Sequence, residues 1–441
     1  MKVKVISRNP NTYQRETTKQ LHKVVRNFNL PADPFRAQTE YTRALNATKL
    51  ERVFAKPFVA SLDGHLEGVH VLAKHPKQPS TILSGARDGQ VKIWNLPTRT
   101  CQATIQAHHG LLNGVSVDND AGDSFVTVGQ DCQIKYWKIP RNLQDNIKQP
   151  SHSVALTGVA HGVSHLAHSS DYVTCGEDVS VWRVNRDTPL RAFSLGHDTI
   201  HTIRANPIEE NVIIGAMTDR SIFVLDTRQQ VTMKLRPNAL SWNPMEAFIF
   251  TVASEDYSLY TFDMRYLQHP CMAHNGCTSA VLDVDYSPTG QEFVVGSYDR
   301  SVRIFKAREQ SSRDVYYTKR MNTVLSVLWS ADNKFVLSGS NEMNVRVWKA
   351  NASEKLGPLA KREKDAFAYN EKLRETYKEH PEIRRIARHR NVPKHIFNAA
   401  KEHQTIRNSK SRKELNRAKA EGKSEEDIEF VPAVKKAMVQ K

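Results

Sequence analysis

The feature that most constrains what this chain can fold into is a repeat. Seven segments share a strand-like pattern ending in an aromatic or large apolar residue: DGQVKIWN at Trp94, DCQIKYWK at Trp137, EDVSVWR at Trp182, DRSIFVLD at Leu225, DYSLYTFD at Phe262, DRSVRIFK at Phe305 and EMNVRVWK at Trp348. Successive end positions are 43, 45, 43, 37, 43 and 43 residues apart. In six units an acid stands six residues before the end position (Asp88, Asp131, Asp219, Asp256, Asp299, Glu342), and the third unit has a turn one or two residues shorter. Pro76, Pro207 and Pro244 each precede their acid by twelve residues, which keeps the same register. Apolar residues alternate within a unit, as at Val91 and Ile93 or Val302 and Ile304, the pattern of strands packed between layers. A period near 43 residues built from four short strands predicts an all-β fold, a seven-bladed β-propeller.

A ring of blades has to be sealed, because an open ring presents an unpaired strand edge. Phe58 to Leu62 reads as a short strand ahead of the first unit, and it is expected to complete the last blade, whose other strands run from about Val324 to Trp348. The ring then spans 57–349, between an N-terminal arm over 1–56 and a C-terminal extension over 350–441. The N-terminal arm carries Pro10, Pro31 and Pro34 and little periodicity, so it is expected to lie extended. Only 16 of the last 92 residues are Leu, Ile, Val or Phe, too few for an independent core, yet the segment is rich in helix formers. It predicts basic helices docked on something else.

Charge separates the same three segments. Residues 1–56 hold 12 basic and 4 acidic side chains, 350–441 hold 23 and 14, and 57–349 hold 28 and 29. A near-neutral body with two basic arms points to a polyanionic partner, of which RNA is the commonest. The candidate contacts are two clusters: Arg384, Arg385, Arg388, His389, Arg390 and Lys394, then Arg407, Lys410, Arg412, Lys413 and Arg417. On a helix Arg407, Lys410, Glu414 and Arg417 share one face. Few aromatics are interleaved, so the contact is expected to read phosphate and shape, with little base preference.

Several function classes find no support. No apolar run approaches the roughly 18 residues needed to span a bilayer. Five cysteines without C-x-x-C spacing fit neither a disulfide framework nor a zinc knuckle. Phosphate-loop, dinucleotide-binding, zinc-protease and nucleophile-elbow motifs are all missing. No catalytic residue, metal, cofactor, small-molecule substrate or membrane partner is expected.

The units resemble WD40 repeats: Gly64-His65, Asp88 and Trp94 recur as His108, Asp131 and Trp137 at the same intervals. His197 to Asp219 and His274 to Asp299 extend the series, with Trp348 closing the last unit. The resemblance implies that each His–Asp pair is a structural link inside a blade. Repetition agrees, since an active site is normally built once.

RALNATKLERVFAKPFVASLDGH (43–65), WNPMEAFIF (242–250), AVLDVDYSPTG (280–290), KANASEKLG (349–357) and the IRRIARHR cluster resemble the Sof family of WD40 proteins, along essentially the whole chain. That resemblance implies a nucleolar ribosome-biogenesis factor of the small-subunit processome. Its partners would be pre-rRNA, a box C/D small nucleolar RNP and other processome proteins. Some animal members are also described as substrate receptors of cullin–RING ubiquitin ligases, which use W-D-x-R boxes. Here LDTR and FDMR keep the Asp and Arg positions (Asp226 and Arg228, Asp263 and Arg265) and lack the Trp. Adaptor binding through these boxes and an ordinary strand-end turn are both open readings.

Overall fold

The structure, a computed structural model, describes residues 35–139, 149–196, 198–225, 229–233, 235–421 and 438, with the backbone alone at 229–232. Among the described residues, alternating apolar side chains and Gly/Asp/Asn turns produce 28 strands in seven four-stranded antiparallel sheets. Strand β1 (Phe58–Leu62) comes first and is taken up last. Blade one is β2 (Val69–Lys74), β3 (Thr81–Ala86), β4 (Gln90–Asn95) and β5 (Thr100–Gln106); blade two is β6 (Leu112–Val117), β7 (Ser124–Gly129), β8 (Gln133–Lys138) and β9 (His152–Ala155). Blade three is β10 (Gly162–His165), β11 (Tyr172–Cys175), β12 (Val179–Trp182) and β13 (Arg191–Phe193). Blade four is β14 (Ile200–Ala205), β15 (Ile213–Met217), β16 (Ser221–Val224) and β17 (Gln229–Thr232). Blade five is β18 (Pro237–Trp242), β19 (Ile249–Ser254), β20 (Leu259–Asp263) and β21 (Met272–His274). Blade six is β22 (Val281–Tyr286), β23 (Glu292–Ser297), β24 (Val302–Lys306) and β25 (Ser312–Tyr316). Blade seven is β26 (Val324–Trp329), β27 (Phe335–Ser340) and β28 (Val345–Lys349), completed by β1 as its fourth strand. The expected closure holds: Leu62 pairs with Val345 and Phe58 with Trp348.

The first strand of every blade touches the first strand of the next, so β2, β6, β10, β14, β18, β22 and β26 surround an axial channel. Six of them carry the same bulge directly after their first residue, and β10 does not. A bulge adds twist where each blade turns away from the axis. Blade three also has the tightest inner hairpin, with Cys175 paired to Val179 where blade one pairs Gly85 with Val91.

The inner strands leave backbone groups facing the channel, and side chains from the preceding blade satisfy them. Ser116 Oγ accepts from the His165 amide at 3.2 Å, and Ser164 Oγ from that of Ala205 at 3.1 Å. Asp283 Oδ2 accepts from Val327 N at 2.7 Å, and Asp285 Oδ2 from Trp329 N at 2.8 Å. Lys74 of blade one also reaches Asp285, at 3.4 Å. Between blades, faces such as Val91, Ile93, Leu112, Val115 and Trp137 form continuous apolar layers.

The described helices are α1 (Arg36–Val53), α2 (Lys361–Thr376), α3 (Pro381–Arg388) and α4 (Lys394–Ala420). The expectation of an extended N-terminal arm is corrected over 36–53, which form an 18-residue helix. Its burial partners lie more than 300 residues away in sequence: Ala44 packs with Leu373 and Ile383, and Tyr41 donates to Glu382 at 2.5 Å. Arg374 pairs with Glu51, and Arg52 donates to the Ala387 carbonyl at 2.7 Å. The extended reading of residues 1–34 lies outside the described residues.

The three-part division of the chain also changes. Of the described residues, 35–54 form one compact unit with Lys355–His389, and Ala55–Glu354 form the other with 390–421. The C-terminal extension is therefore shared between the two units, because α2 and α3 find their apolar partner in α1.

Candidate nucleic-acid interface

Pro393 precedes α4 and Pro381 opens α3, so proline sets both starts. The helix α4 has 27 residues, a length of roughly 40 Å at 1.5 Å per residue. It carries eight Lys or Arg and two Glu. Its inner stripe is thin. Ile396 is buried, His395 Nε2 donates to the Asp299 carbonyl at 3.4 Å, and the His403 ring meets the Tyr257 ring edge-on at 5.3 Å. These contacts seat the helix on the inner hairpin turns of blades five and six.

Most of the remaining side chains of α4 are exposed. Lys394, Arg407, Lys410, Arg412, Lys413 and Arg417 are exposed, and none of them forms an ion pair among the described residues. Arg407 lies close enough to the Asp256–Tyr260 pair to act on the phenol. The stripe of Arg407, Lys410, Glu414 and Arg417 is helical as expected, while Arg412 and Lys413 widen the positive surface beyond it. The first cluster is divided. Arg384, Arg385, Arg388 and His389 belong to the α1–α2–α3 unit, and Arg390 and Lys394 to the propeller unit. Arg384, Arg385, Arg388 and His389 are exposed, with Glu379 4.0 Å from Arg384.

The repeated His–Asp pairs resolve unequally. In blade two His108 Nδ1 meets Asp131 Oδ1 at 2.7 Å and Nε2 meets Thr127 Oγ1 at 2.8 Å, while Trp137 donates to the same hydroxyl at 3.0 Å. In blade one His65 and Trp94 share Ser84 Oγ, at 2.5 and 2.7 Å, and Asp88 caps the Gln90 amide at 2.9 Å. There, His65 Nδ1 and Asp88 Oδ2 are both buried without a partner. Burial pushes the His65 imidazole down to about 4 and the His108 imidazole down as well, so both are neutral near pH 7. Asp219 accepts from Ser221 N at 2.8 Å, and its expected partner His197 lies outside the described residues.

The pairing of His274 with Asp299 is corrected. His274 sits on β21, meets Thr261 Oγ1 at 3.0 Å and gives its other nitrogen to the Glu309 carbonyl at 2.7 Å. Asp299 is held by Ser301 N at 3.1 Å and Arg303 Nη2 at 3.0 Å. The histidine slot of blade six is taken by Cys277, which follows Gly276 at φ 140° as His65 follows Gly64 at φ 144°. The signal was available, since Cys277 precedes Asp299 by 22 residues, the interval between His197 and Asp219. A second device went unread: a cation four residues after the acid. Lys135, Arg303 and Arg346 pair there with Asp131, Asp299 and Glu342. In blade seven this leaves Trp348 donating to Ser338 Oγ at 2.8 Å.

Of the two D-x-R boxes, Asp226 and Arg228 lie outside the described residues. At the other, Arg265 forks onto Asp263 at 2.7 and 3.0 Å, and its guanidinium lies 4.5 Å from the centre of the Phe248 ring. The Arg265 hydrogen bond holds the Asp263 carboxyl below its ordinary value. The turn is thus self-paired, with 64% of the Arg265 side chain still exposed.

Among the described residues no three His, Cys, Asp or Glu side chains are grouped to hold a metal, and no helix is long and apolar enough to cross a membrane. A cavity of about 330 Å³ opens between blades six and seven beside Phe58, Asp63, Lys319, Arg320 and Arg346.

Comparison with known proteins fits this architecture. A model of the Sof1-like domain matches residues 350–438, and WD domain, G-beta repeat models match 56–95, 267–306 and 316–349. DDB1- and CUL4-associated factor 13 of Xenopus laevis is 51% identical over 424 residues, covering 95% of both chains. The Homo sapiens protein of that name is 50% identical over the same share. Protein SOF1 of Saccharomyces cerevisiae is 36% identical over 468 residues, covering all of this chain and 94% of its own. Among solved structures, the WD40 β-propeller domain of Doa1 superposes with a TM-score of 0.57 at 18% identity, covering 66% of this chain and 96% of that one; it bears on the fold alone. Propeller and Sof1-like segment together mark a scaffold or adaptor architecture, and the chain belongs to the Sof1-like family of WD40-repeat proteins.

Proposed function

We propose that this protein is a non-catalytic ribosome-biogenesis factor of the nucleolar small-subunit processome. It scaffolds pre-rRNA, the box C/D small nucleolar RNP and neighbouring proteins while the small-subunit rRNA is processed. One observation carries the reading: relatedness to Protein SOF1 runs through both extensions, including a last helix that exposes Lys394, Arg407, Lys410, Arg412, Lys413 and Arg417. Each phosphate neutralised by such a cation releases counterion, so binding draws its energy from charge and is independent of base identity. Arg384, Arg385, Arg388, His389, Arg390, Lys394, Arg407, Lys410, Arg412, Lys413 and Arg417 are the proposed contacts. Sedimentation of nuclear extract tests the reading. The protein should travel with large pre-ribosomal particles and be released by RNase; confinement to small complexes in the presence of intact particles would sink it.

A second reading is favoured by the relatives named for association with DDB1 and CUL4. On this reading the protein is also a substrate receptor of a cullin–RING ligase, and the exposed Asp263–Arg265 turn is an adaptor contact. Arg265→Ala removes the fork and the Phe248 contact at an exposed site. It should reduce DDB1 pull-down several-fold and leave the propeller folded; unchanged capture rejects this turn as the contact.

A further inference from the structure

The innermost strands all begin at one end of the axial channel. In the blades other than blade three, the residue just before the first strand is fixed by an amide that follows the second strand: Arg87 N donates to Gly68 O, Thr218 N to Thr199 O, and Glu255 N to Arg236 O, the last at 3.1 Å. At this level blade three places His161, blade five places Arg236, and blade four places His201 one residue into β14. The backbone brings the three together: the His161 and Ile200 amides donate to the consecutive Cys175 and Gly176 carbonyls, and His201 Nε2 donates to the carbonyl of Pro237, next to Arg236. Burial lowers the basicity of both imidazoles, and Arg236 lowers it further. All three are half-buried.

Their hydrogen bonding is incomplete. His201 spends Nε2 on the Pro237 carbonyl at 2.5 Å, which leaves its buried Nδ1 without a partner. Arg236 Nε is buried and unpartnered as well, and the guanidinium forms no ion pair among the described residues. A half-buried guanidinium has been partly stripped of water, and here it receives no acceptor in return. Two imidazoles beside it add like charge if they protonate. Folding alone does not reward such a group, and local costs of this kind concentrate at functional sites.

We infer that Arg236, His161 and His201 form a carboxylate-accepting site at the channel mouth of blades three to five, filled by an aspartate or glutamate side chain of a partner protein. An oxyanion there would accept from the guanidinium in a fork and from a ring N–H of His161; His201, whose Nε2–H is spent on Pro237, offers Nδ1 as a donor only once it is protonated, which an adjacent carboxylate favours. Two exposed acids argue against a nucleic-acid occupant. Glu255 is tied to Arg236 through its amide, and Glu177 stands two residues beyond Cys175, whose carbonyl takes the His161 amide at 2.7 Å. Negative charge in these two turns disfavours a long polyanionic backbone more than a single acidic side chain.

The test uses the full chain, labelled with nitrogen-15, and follows the histidine ring nitrogens at neutral pH. Titration with a hexaglutamate peptide should shift His161 and His201 and leave His65 and His108 unmoved. Arg236→Gln should weaken the response about tenfold. Arg236→Lys keeps the charge and loses the fork, so it should cost several-fold, and it covers the case in which the Gln variant does not fold. The inference is overturned if neither imidazole responds, or if either variant folds and binds as the parent does. It is equally overturned if inorganic phosphate or an oligouridylate displaces hexaglutamate at lower concentration, since the site would then serve phosphate.

Discussion

His65 and His108 occupy equivalent slots in neighbouring blades, yet only His108 has both ring nitrogens bonded. Equal spacing to the acid therefore hides unequal energies. Asp131→Ala should cost about 1–3 kcal/mol, because it orphans the buried His108 Nδ1 and leaves the Lys135 ammonium with the Ala107 carbonyl alone. Asp88→Ala loses a turn cap on Gln90 and leaves the His65 bonds as they are, so it should cost under about 1 kcal/mol. Urea unfolding of the two variants checks the order, and equal losses would show that interval alone decides. The tryptophan register was legible in sequence because each indole must reach a hydroxyl one strand away, as Trp94 reaches Ser84 and Trp137 reaches Thr127. The blade-six slot was missed because cysteine carries no imidazole to count from. His274, three residues earlier, offered a false match.

At the scale of elements, β1 is the part on which the ring depends. Leu62 is buried against the last blade and packs with Leu72, Leu337 and Val345. Leu62→Ala should lower stability by about 2–4 kcal/mol through lost burial and the cavity left behind. Calorimetry checks it, and a shift no larger than that of a surface substitution would mean the seam is held elsewhere. Strand alternation made all seven blades readable, since a sheet declares its buried face every second residue. The helix α1 gave no such notice. Its buried side is little more than Ala44 and Thr48, completed by Leu373 and Ile383 from the far end of the chain. For α4 the charge was legible and the seat was not, because His395 and His403 touch turns that only the folded ring assembles. Changing Arg407, Lys410, Arg412, Lys413 and Arg417 to Gln should flatten the dependence of RNA affinity on salt by roughly 3 in logarithmic slope, at about 0.7 per phosphate for single strands. Filter binding at several salt concentrations measures it; an unchanged slope removes α4 from the interface.

For the whole molecule, the titration of buried groups sets how stability follows pH. Burial pushes the imidazoles of His65, His165 and His201 down to about 4, below the ordinary value of 6.5. In the window from 6.5 to 4 the unfolded chain binds protons that the folded one does not, so stability falls as pH falls. Asp283 acts in the opposite sense, because burial raises its carboxyl to about 6 and the folded state then holds the proton below that pH. The loss should therefore set in around pH 6.5, as the histidines of the unfolded chain take up protons, and Asp283 should offset part of it below about pH 6. Thermal melts across this range test the sign, and a midpoint that rises on acidification from 6.5 to 6 would contradict it.

Ring closure also has a schedule. Strand β1 leaves the ribosome before any blade exists, and Val345, which pairs with Leu62, is made 283 residues later. At 5–20 residues per second that interval is on the order of 15–60 s. Throughout it, β1 is a loose ribbon and the growing stack of blades ends in two unsatisfied faces. A messenger truncated anywhere before β28 yields a chain that cannot hide either one. Synthesis, more than the finished ring, is where this protein most needs a chaperone.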